Sequence, residues 1–271
     1  MKDRKVVFLG STKFSEEILI HLLKNDVSIC AIFSIPKYFK ISYSNDYVLN
    51  SNYSDLSFYA KKHNIPFYEV HSEDGKRLQD YKDVIIDLKS DVILAVGWYY
   101  MVPKIIREIP TEGVWGLHAS LLPDYAGGAP LVWAIINGEK FTGTTLFKMD
   151  SGVDDGDIIK QEKIIIDDDD TIKTLLSKAS NSSKNIIIKA LEYPIIPYKP
   201  QDKSKIKIYP QRRPEDGEIN WSWDNNRIKN FVRAQTKPYP GAWTIIGNKK
   251  VTLWDVSIED LKLNVKKNED F

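Results

Sequence analysis

The residues best suited to chemistry lie in one segment, 116–157. It opens Gly116-Leu117-His118-Ala119-Ser120-Leu121-Leu122-Pro123 and passes a glycine pair, Gly127-Gly128. It ends on Asp150, Asp154, Asp155 and Asp157, in a loop punctuated by Gly152 and Gly156. A histidine beside a carboxylate is the basic unit of proton transfer, because imidazole titrates near neutral pH. A metal site is the rival reading of these carboxylates. Magnesium would use one or two of them, usually with substrate phosphate. No zinc-type His/Cys spacing is present. The plainer alternative makes His118 structural and the aspartates turn caps. That is the default for a lone histidine, and the surrounding segment argues against it.

A second candidate is Gly10-Ser11-Thr12-Lys13, which follows an apolar run and opens a helical pattern. Backbone N–H groups at a helix N-terminus suit phosphate. The dinucleotide and Walker patterns are both missing, so an ordinary strand-to-helix turn is an equal reading.

These residues need elements to position them. Residues 5–9, 28–33, 66–70 and 92–96 read as buried strands, with two more at 114–117 and 144–147. Helical spacing appears between them, at Ile18, Leu19, Leu22 and Leu23, then at 56–63 and 75–89. Strands interleaved with helices predict an α/β fold with a Rossmann-like, mostly parallel sheet and helices on both faces. Sites in such sheets open at the carboxyl ends of strands, where Gly10 and His118 both fall. Residues 34–54, rich in Ser, Asn and Tyr, predict a long surface loop. A helix follows Thr171 to about Tyr193. Pro194, Pro197 and Pro200 then end the pattern, which sets a boundary near 200. The remainder, with Trp221, Trp223, Trp243 and Trp254 among short β-like runs, predicts a small C-terminal β-rich subdomain. The domains expected are therefore 1–200 and 201–271. The acidic run 167–170 reads as a solvated turn and helix N-terminus.

Hydrophobic residues make up 42% of the 271 and charged residues 28%, which predicts a globular protein with a real core. Lys+Arg number 38 against 37 Asp+Glu, so no global basic excess points to nucleic acid. The single cysteine, Cys30, cannot form an internal disulfide and fits a reducing compartment. The first nine residues are too short an apolar run for a signal peptide or a membrane span. The expected location is the cytoplasm, with no membrane partner.

Residues 116–157 resemble the core signature of the N10-formyltetrahydrofolate-dependent formyltransferases. That family includes methionyl-tRNA formyltransferase and the N-formyltransferases of nucleotide-linked amino sugars. Phe8-Leu9-Gly10-Ser11-Thr12-Lys13-Phe14 is similar to the family's opening strand and turn. Residues 212–221, Arg233-Ala234 and 238–243 resemble stretches after its catalytic domain. The likeness therefore spans most of the chain, in order.

The resemblance implies that His118 and Asp154, 36 residues apart, are the catalytic pair. The family also carries an Asn two residues before the histidine, which helps hold the formyl oxygen as it gains charge. Gly116 stands there in this chain. Losing one such donor typically costs roughly 10²–10³ in rate. The implied co-substrate is N10-formyltetrahydrofolate, with no metal. Its pocket is expected from Gly97, Trp98, Tyr99, Tyr100, Met101 and Val102, with Asp150. Trp98 to Met101 could equally pack a helix start. The acceptor site is expected to draw on Gly10, Ser11, Thr12, Lys13, Tyr53 and Ser120.

For the acceptor, about 70 residues after the boundary are too few for the β-barrel of the tRNA enzyme. The balanced charge also argues against a tRNA surface. Tyr43, Tyr47 and Tyr53 could stack a nucleotide base, or belong to a disordered tip. The expected acceptor is a nucleotide-linked 4-amino-deoxysugar destined for O-antigen or capsule, handled by a homodimer. The alternatives are a methionyl-tRNA formyltransferase-like enzyme and a non-catalytic nucleotide-sugar-binding module.

Overall fold

The run Val6-Val7-Phe8-Leu9 is buried at every position, and it forms the strand at the middle of the sheet. The structure is a computed structural model that describes residues 3–40, 46–50, 52–72, 75–257 and 259. The first elements are β1 (Val6–Leu9), α1 (Lys13–Lys24), β2 (Ile29–Ser34), β3 (Tyr38–Phe39), β4 (Val48–Leu49), α2 (Ser57–Lys62) and β5 (Phe67–Glu69). There follow α3 (Lys82–Leu88), β6 (Val92–Ala95), α4 (Lys104–Arg107), β7 (Val114–His118), β8 (Ala126–Gly127) and α5 (Pro130–Ile136). Then come β9 (Phe141–Lys148), β10 (Ile158–Ile165), α6 (Ile172–Leu191) and β11 (Ile208–Tyr209). The last are α7 (Asn225–Arg233), β12 (Ala242–Ile246) and β13 (Lys249–Leu253).

Seven strands pair in the order β10-β9-β7-β6-β1-β2-β5. The run from β7 to β5 is parallel, and β9 joins β7 antiparallel. Alternation along β1 sends Val6 and Phe8 to one face and Val7 and Leu9 to the other. The first face packs Ile18, Leu19 and Leu22 of α1 with Ile186 and Ile187 of α6. The second packs Ile85 of α3 and Ile106 of α4. Each large side chain fully buried in this way contributes roughly 1.5–3 kcal/mol.

By its contacts the chain divides into two compact units. One comprises 1–118, 145–161 and 183–201; the other comprises 119–144, 162–182 and 202–271. The second has its own cores. Leu131 and Ile135 of α5 pack with Ile164, Ile172 and Leu175, and Ile228 and Phe231 of α7 pack with Ile219 and Ala242.

Three local readings differ from the sequence expectation. The 34–54 stretch is not wholly loop, because β3 and β4 pair antiparallel within it. Tyr43 lies outside the described residues. The C-terminal part is not wholly β-like. It contains α7, capped by Asp224, whose side chain accepts from Arg227 N at 3.0 Å. Its strands are β11 and the antiparallel hairpin β12–β13, turned at Gly247-Asn248 with Gly247 at φ +58. The run 158–165, not anticipated as a strand, forms the sheet edge β10.

Candidate active site

Strand register aligns the carboxyl ends of three strands. Leu9 pairs with Ala95, and Ala95 with Gly116. Gly10 and Val96 leave the sheet here, and β7 runs on two residues to His118 at the same end, where α/β sites open. His118 ends β7 and is 9% exposed. Its Nδ1 stands 3.3 Å from Asp154 Oδ2, with the Asp154 side chain 21% exposed. The two side chains stand within hydrogen-bonding reach, and the Asp154 carboxylate stays partly open to solvent.

Asp154 is held in an unusual backbone state, φ +50, which a non-glycine residue rarely adopts. The loop between β9 and β10 enforces it. Lys148 N donates to Asp157 O at 2.8 Å, closing the loop at its base. A Cβ on Gly156 would collide with Lys148 O, so this closure requires glycine. Gly152 N donates to Asp155 Oδ1 at 3.2 Å and Ser151 N to Asp150 Oδ1 at 2.8 Å. Asp150 and Asp155 thus shape the turn, while Asp154 faces the histidine. Among the described residues no three His, Cys, Asp or Glu side chains gather as metal ligands.

Gly116 shares a strand face with His118, two residues on. Space there is taken. A Cβ on Gly116 would lie 2.8 Å from Met149 Cε and 3.1 Å from the Phe147 ring. Methionine and phenylalanine fill the volume where a longer side chain would project.

A cavity of about 160 Å³ lies beside the pair, with Asp154 in its wall. Of the residues expected at the folate pocket, Tyr100, Met101, Val102 and Asp150 line it. Gly97, Trp98 and Tyr99 lie outside that lining. Gly97 turns the chain at φ +57, where a Cβ would strike Thr12 Oγ1. Trp98 packs edge-on against Tyr100, with its Nε1 buried and unpartnered. Tyr99 donates its hydroxyl to Asn50 Oδ1 at 3.2 Å. Burial pushes the Tyr100 phenol above its usual value. Arg107, Phe147 and Met149 line the cavity too, and sequence reasoning missed all three. Arg107 donates from one guanidinium nitrogen to Val102 O at 2.8 Å. Apolar side chains together with a guanidinium and two carboxylates can hold a flat heterocycle that carries both donors and acceptors.

The Gly10–Lys13 turn departs from a phosphate cradle, because its N–H groups are already engaged. Gly10 N donates to Phe33 O at 3.1 Å and Lys13 N to Asn52 O at 2.8 Å. Ser11 N and Thr12 N both donate to Ser15 Oγ, and Ser15 Oγ donates to Val96 O at 2.6 Å. Thr12 and Ser15 form a capping box for α1, a signal legible as Thr-x-x-Ser. The exposed Lys13 side chain is what this turn still offers an anion. Tyr53 bridges to Thr12, and burial, then Asp55 and Glu69, raise its phenol pKa. Tyr47 is 56% exposed, with Lys40 Nζ 5.5 Å from its ring. Ser120, fully buried in the other unit, donates to Asp124 O at 2.5 Å.

The chain is similar to known proteins over most of its length. The sequence model described as "Formyl transferase" matches residues 4–191, and "Formyl transferase, C-terminal domain" matches 212–267. The bifunctional polymyxin resistance protein ArnA of Wigglesworthia glossinidia brevipalpis is 36% identical over 222 residues, covering 78% of this chain and 32% of that protein. The chain thus spans about a third of the length of that relative. Methionyl-tRNA formyltransferase from Clostridium thermocellum superposes at TM-score 0.65 with 19% identity, covering 94% of this chain and 93% of that one. The N-formyltransferase from Helicobacter canadensis, solved with folinic acid and dTDP-3-aminofucose, superposes at TM-score 0.66 with 21% identity, covering 92% and 86%. Those two likenesses carry the fold, a mostly parallel sheet with helices and a small C-terminal part. With the family match spanning most of its length, the chain belongs to the formyl transferase family.

Proposed function

We propose that this chain moves a formyl group from N10-formyltetrahydrofolate to the amine of a nucleotide-linked 4-amino-deoxysugar. The setting we propose is the cytoplasm, and the product serves O-antigen or capsule. The observation that carries the reading is the 3.3 Å approach of His118 Nδ1 to Asp154 Oδ2. It has support from the cavity that Asp154 lines, and from relatives that include an ArnA protein and an enzyme solved with an amino sugar nucleotide.

The chemistry follows from the pair. An alkyl ammonium has no lone pair, so the acceptor must lose a proton before its nitrogen can attack the formyl carbon. His118 accepts that proton, and the Asp154 carboxylate, 3.3 Å from Nδ1, orients the imidazole. The new C–N bond forms, the bond from carbon to N10 breaks, and the proton passes to N10. The formyl oxygen gains charge meanwhile, and Gly116 supplies no side-chain donor for it.

The pterin belongs in the cavity beside Asp154, with Met101, Val102 and Asp150 at its wall. Gly10, Ser11, Thr12, Lys13, Tyr53 and Ser120 are the proposed acceptor-binding set, with the Lys13 ammonium as the anion contact. A catalytic domain at 1–200, a C-terminal one at 201–271 and a homodimer are parts of this proposal. Exposed Ile245, Ile246 and Val251 on the β12–β13 hairpin support the dimer.

The test is incubation with N10-formyltetrahydrofolate and a panel of nucleotide 3- and 4-amino sugars, read by mass spectrometry. Formylated 4-amino sugar is expected. Product with methionyl-tRNA alone would replace the acceptor. No product with any amine would favour a binding module.

A further inference from the structure

We propose that Gln201 is a positioning residue that holds Asp154 in its left-handed backbone state; the proposal rests on Asp154 being the catalytic carboxylate. Gln201 Nε2 donates to Asp154 O at 2.8 Å and to Gly156 O at 2.7 Å. Both carbonyls belong to the loop that carries Asp154, one on each side of Asp155. Gln201 is only 8% exposed; its bond to Gly156 O is buried and its bond to Asp154 O partly so. Its Oε1 is buried without a partner. Leaving an acceptor unpaired is costly, and two carbonyl partners require the amide to face this way round.

The geometry explains how a residue 47 positions away arrives there. Ile158 and Lys199 form an antiparallel bridge, exchanging two N–H···O bonds of 2.8 Å. Gln201, two residues beyond, is thereby set against the loop that precedes Ile158. A φ of +50 at a non-glycine residue costs of order 1–3 kcal/mol and persists only where its surroundings over-determine it. Loop closure at Gly156 supplies one restraint and the Gln201 clamp the other. Without the clamp the Asp154 peptide can relax toward negative φ, which turns the carboxylate away from His118 Nδ1.

The test uses the full chain and Q201M, which keeps the side-chain volume and removes the donor. Q201E, of the same shape, replaces the donor by acceptors and carries the test should Q201M not fold. Amide hydrogen exchange in the substrate-free protein is expected to quicken across 152–157 and to stay unchanged in β1 and β6. Unchanged exchange in the loop would overturn the proposal. In turnover, Q201M is expected to lower kcat roughly 10-fold to 100-fold with KM for both substrates unchanged. That loss should vanish on a D154A background, because Gln201 acts through Asp154. An equal fold-loss on both backgrounds marks a merely structural role and would also overturn it. Absence of wild-type turnover on every amine defeats the proposed function instead, and hydrogen exchange then decides Gln201 alone.

Discussion

Met149 Cε occupies the space beside Gly116, 2.8 Å from where a Cβ would begin. The two residues therefore form one unit: the strand position that could present a donor to the formyl oxygen is bare, and a flexible thioether covers it. A donor restored there needs the thioether removed. The double variant G116N/M149A is expected to raise kcat about 10-fold or more, since one oxyanion donor is typically worth roughly 10²–10³. G116N alone should gain less, because Phe147 and Met149 crowd the new side chain. Steady-state rates of the three proteins check this, and a double variant slower than wild type would contradict it.

Arg107 places a permanent positive charge in the cavity wall. R107M keeps much of the stem and removes the charge and its donors. It is expected to raise KM for N10-formyltetrahydrofolate roughly 10-fold, in line with the loss of a hydrogen bond from a charged group. The kcat should change little, because Arg107 is not part of the His118–Asp154 pair. An unaltered KM in a folate titration would remove Arg107 from the pocket's function.

Asp170 and Lys178 make a pH-dependent contribution to stability. Burial works to raise the Asp170 carboxyl, but hydrogen bonds from Lys178 and Thr174 outweigh it and hold the group below its ordinary value. The folded protein thus binds fewer protons at Asp170 than the unfolded chain does near and below pH 4. Stability from this group is present above the ordinary carboxylate pKa, about 3.9, and fades as pH falls through the depressed folded value. D170N should cost about 1–3 kcal/mol at neutral pH. The gap in Tm between wild type and D170N is expected to close below about pH 4. A gap that stays constant with pH would refute the assignment.

The central strands were legible because β1 and β6 are buried on both faces, which leaves unbroken apolar runs in the sequence. The same reading missed α5 and α7. Leu131, Val132, Ala134 and Ile135 do recur at helical spacing after Pro130, as do Ile228, Phe231 and Val232 after the Asp224 cap. Those signals were present, but the surrounding tryptophans and prolines obscured them. His118 and Asp154 stood out as residue types in a dense segment, although their 3.3 Å approach depends on the pairing of β7 with β9. Arg107, Met149 and Gln201 carried no such mark. Gln201 reaches the 152–157 loop only through tertiary register, set by the Ile158–Lys199 bridge. At Gly10 to Lys13 the sequence leaves the phosphate and plain-turn readings equal, because it does not show that Ser15 Oγ and Asn52 O accept from the turn's N–H groups.

The central claim is that His118 takes the proton from the attacking amine. H118N keeps a similar size and a donor toward Asp154 but has no basic nitrogen. Formyl transfer from N10-formyltetrahydrofolate, measured for both proteins at saturating acceptor, tests the claim directly. The predicted result is a fall in kcat of roughly 10²–10⁴ with folate binding retained. Turnover by H118N at the wild-type rate would contradict it.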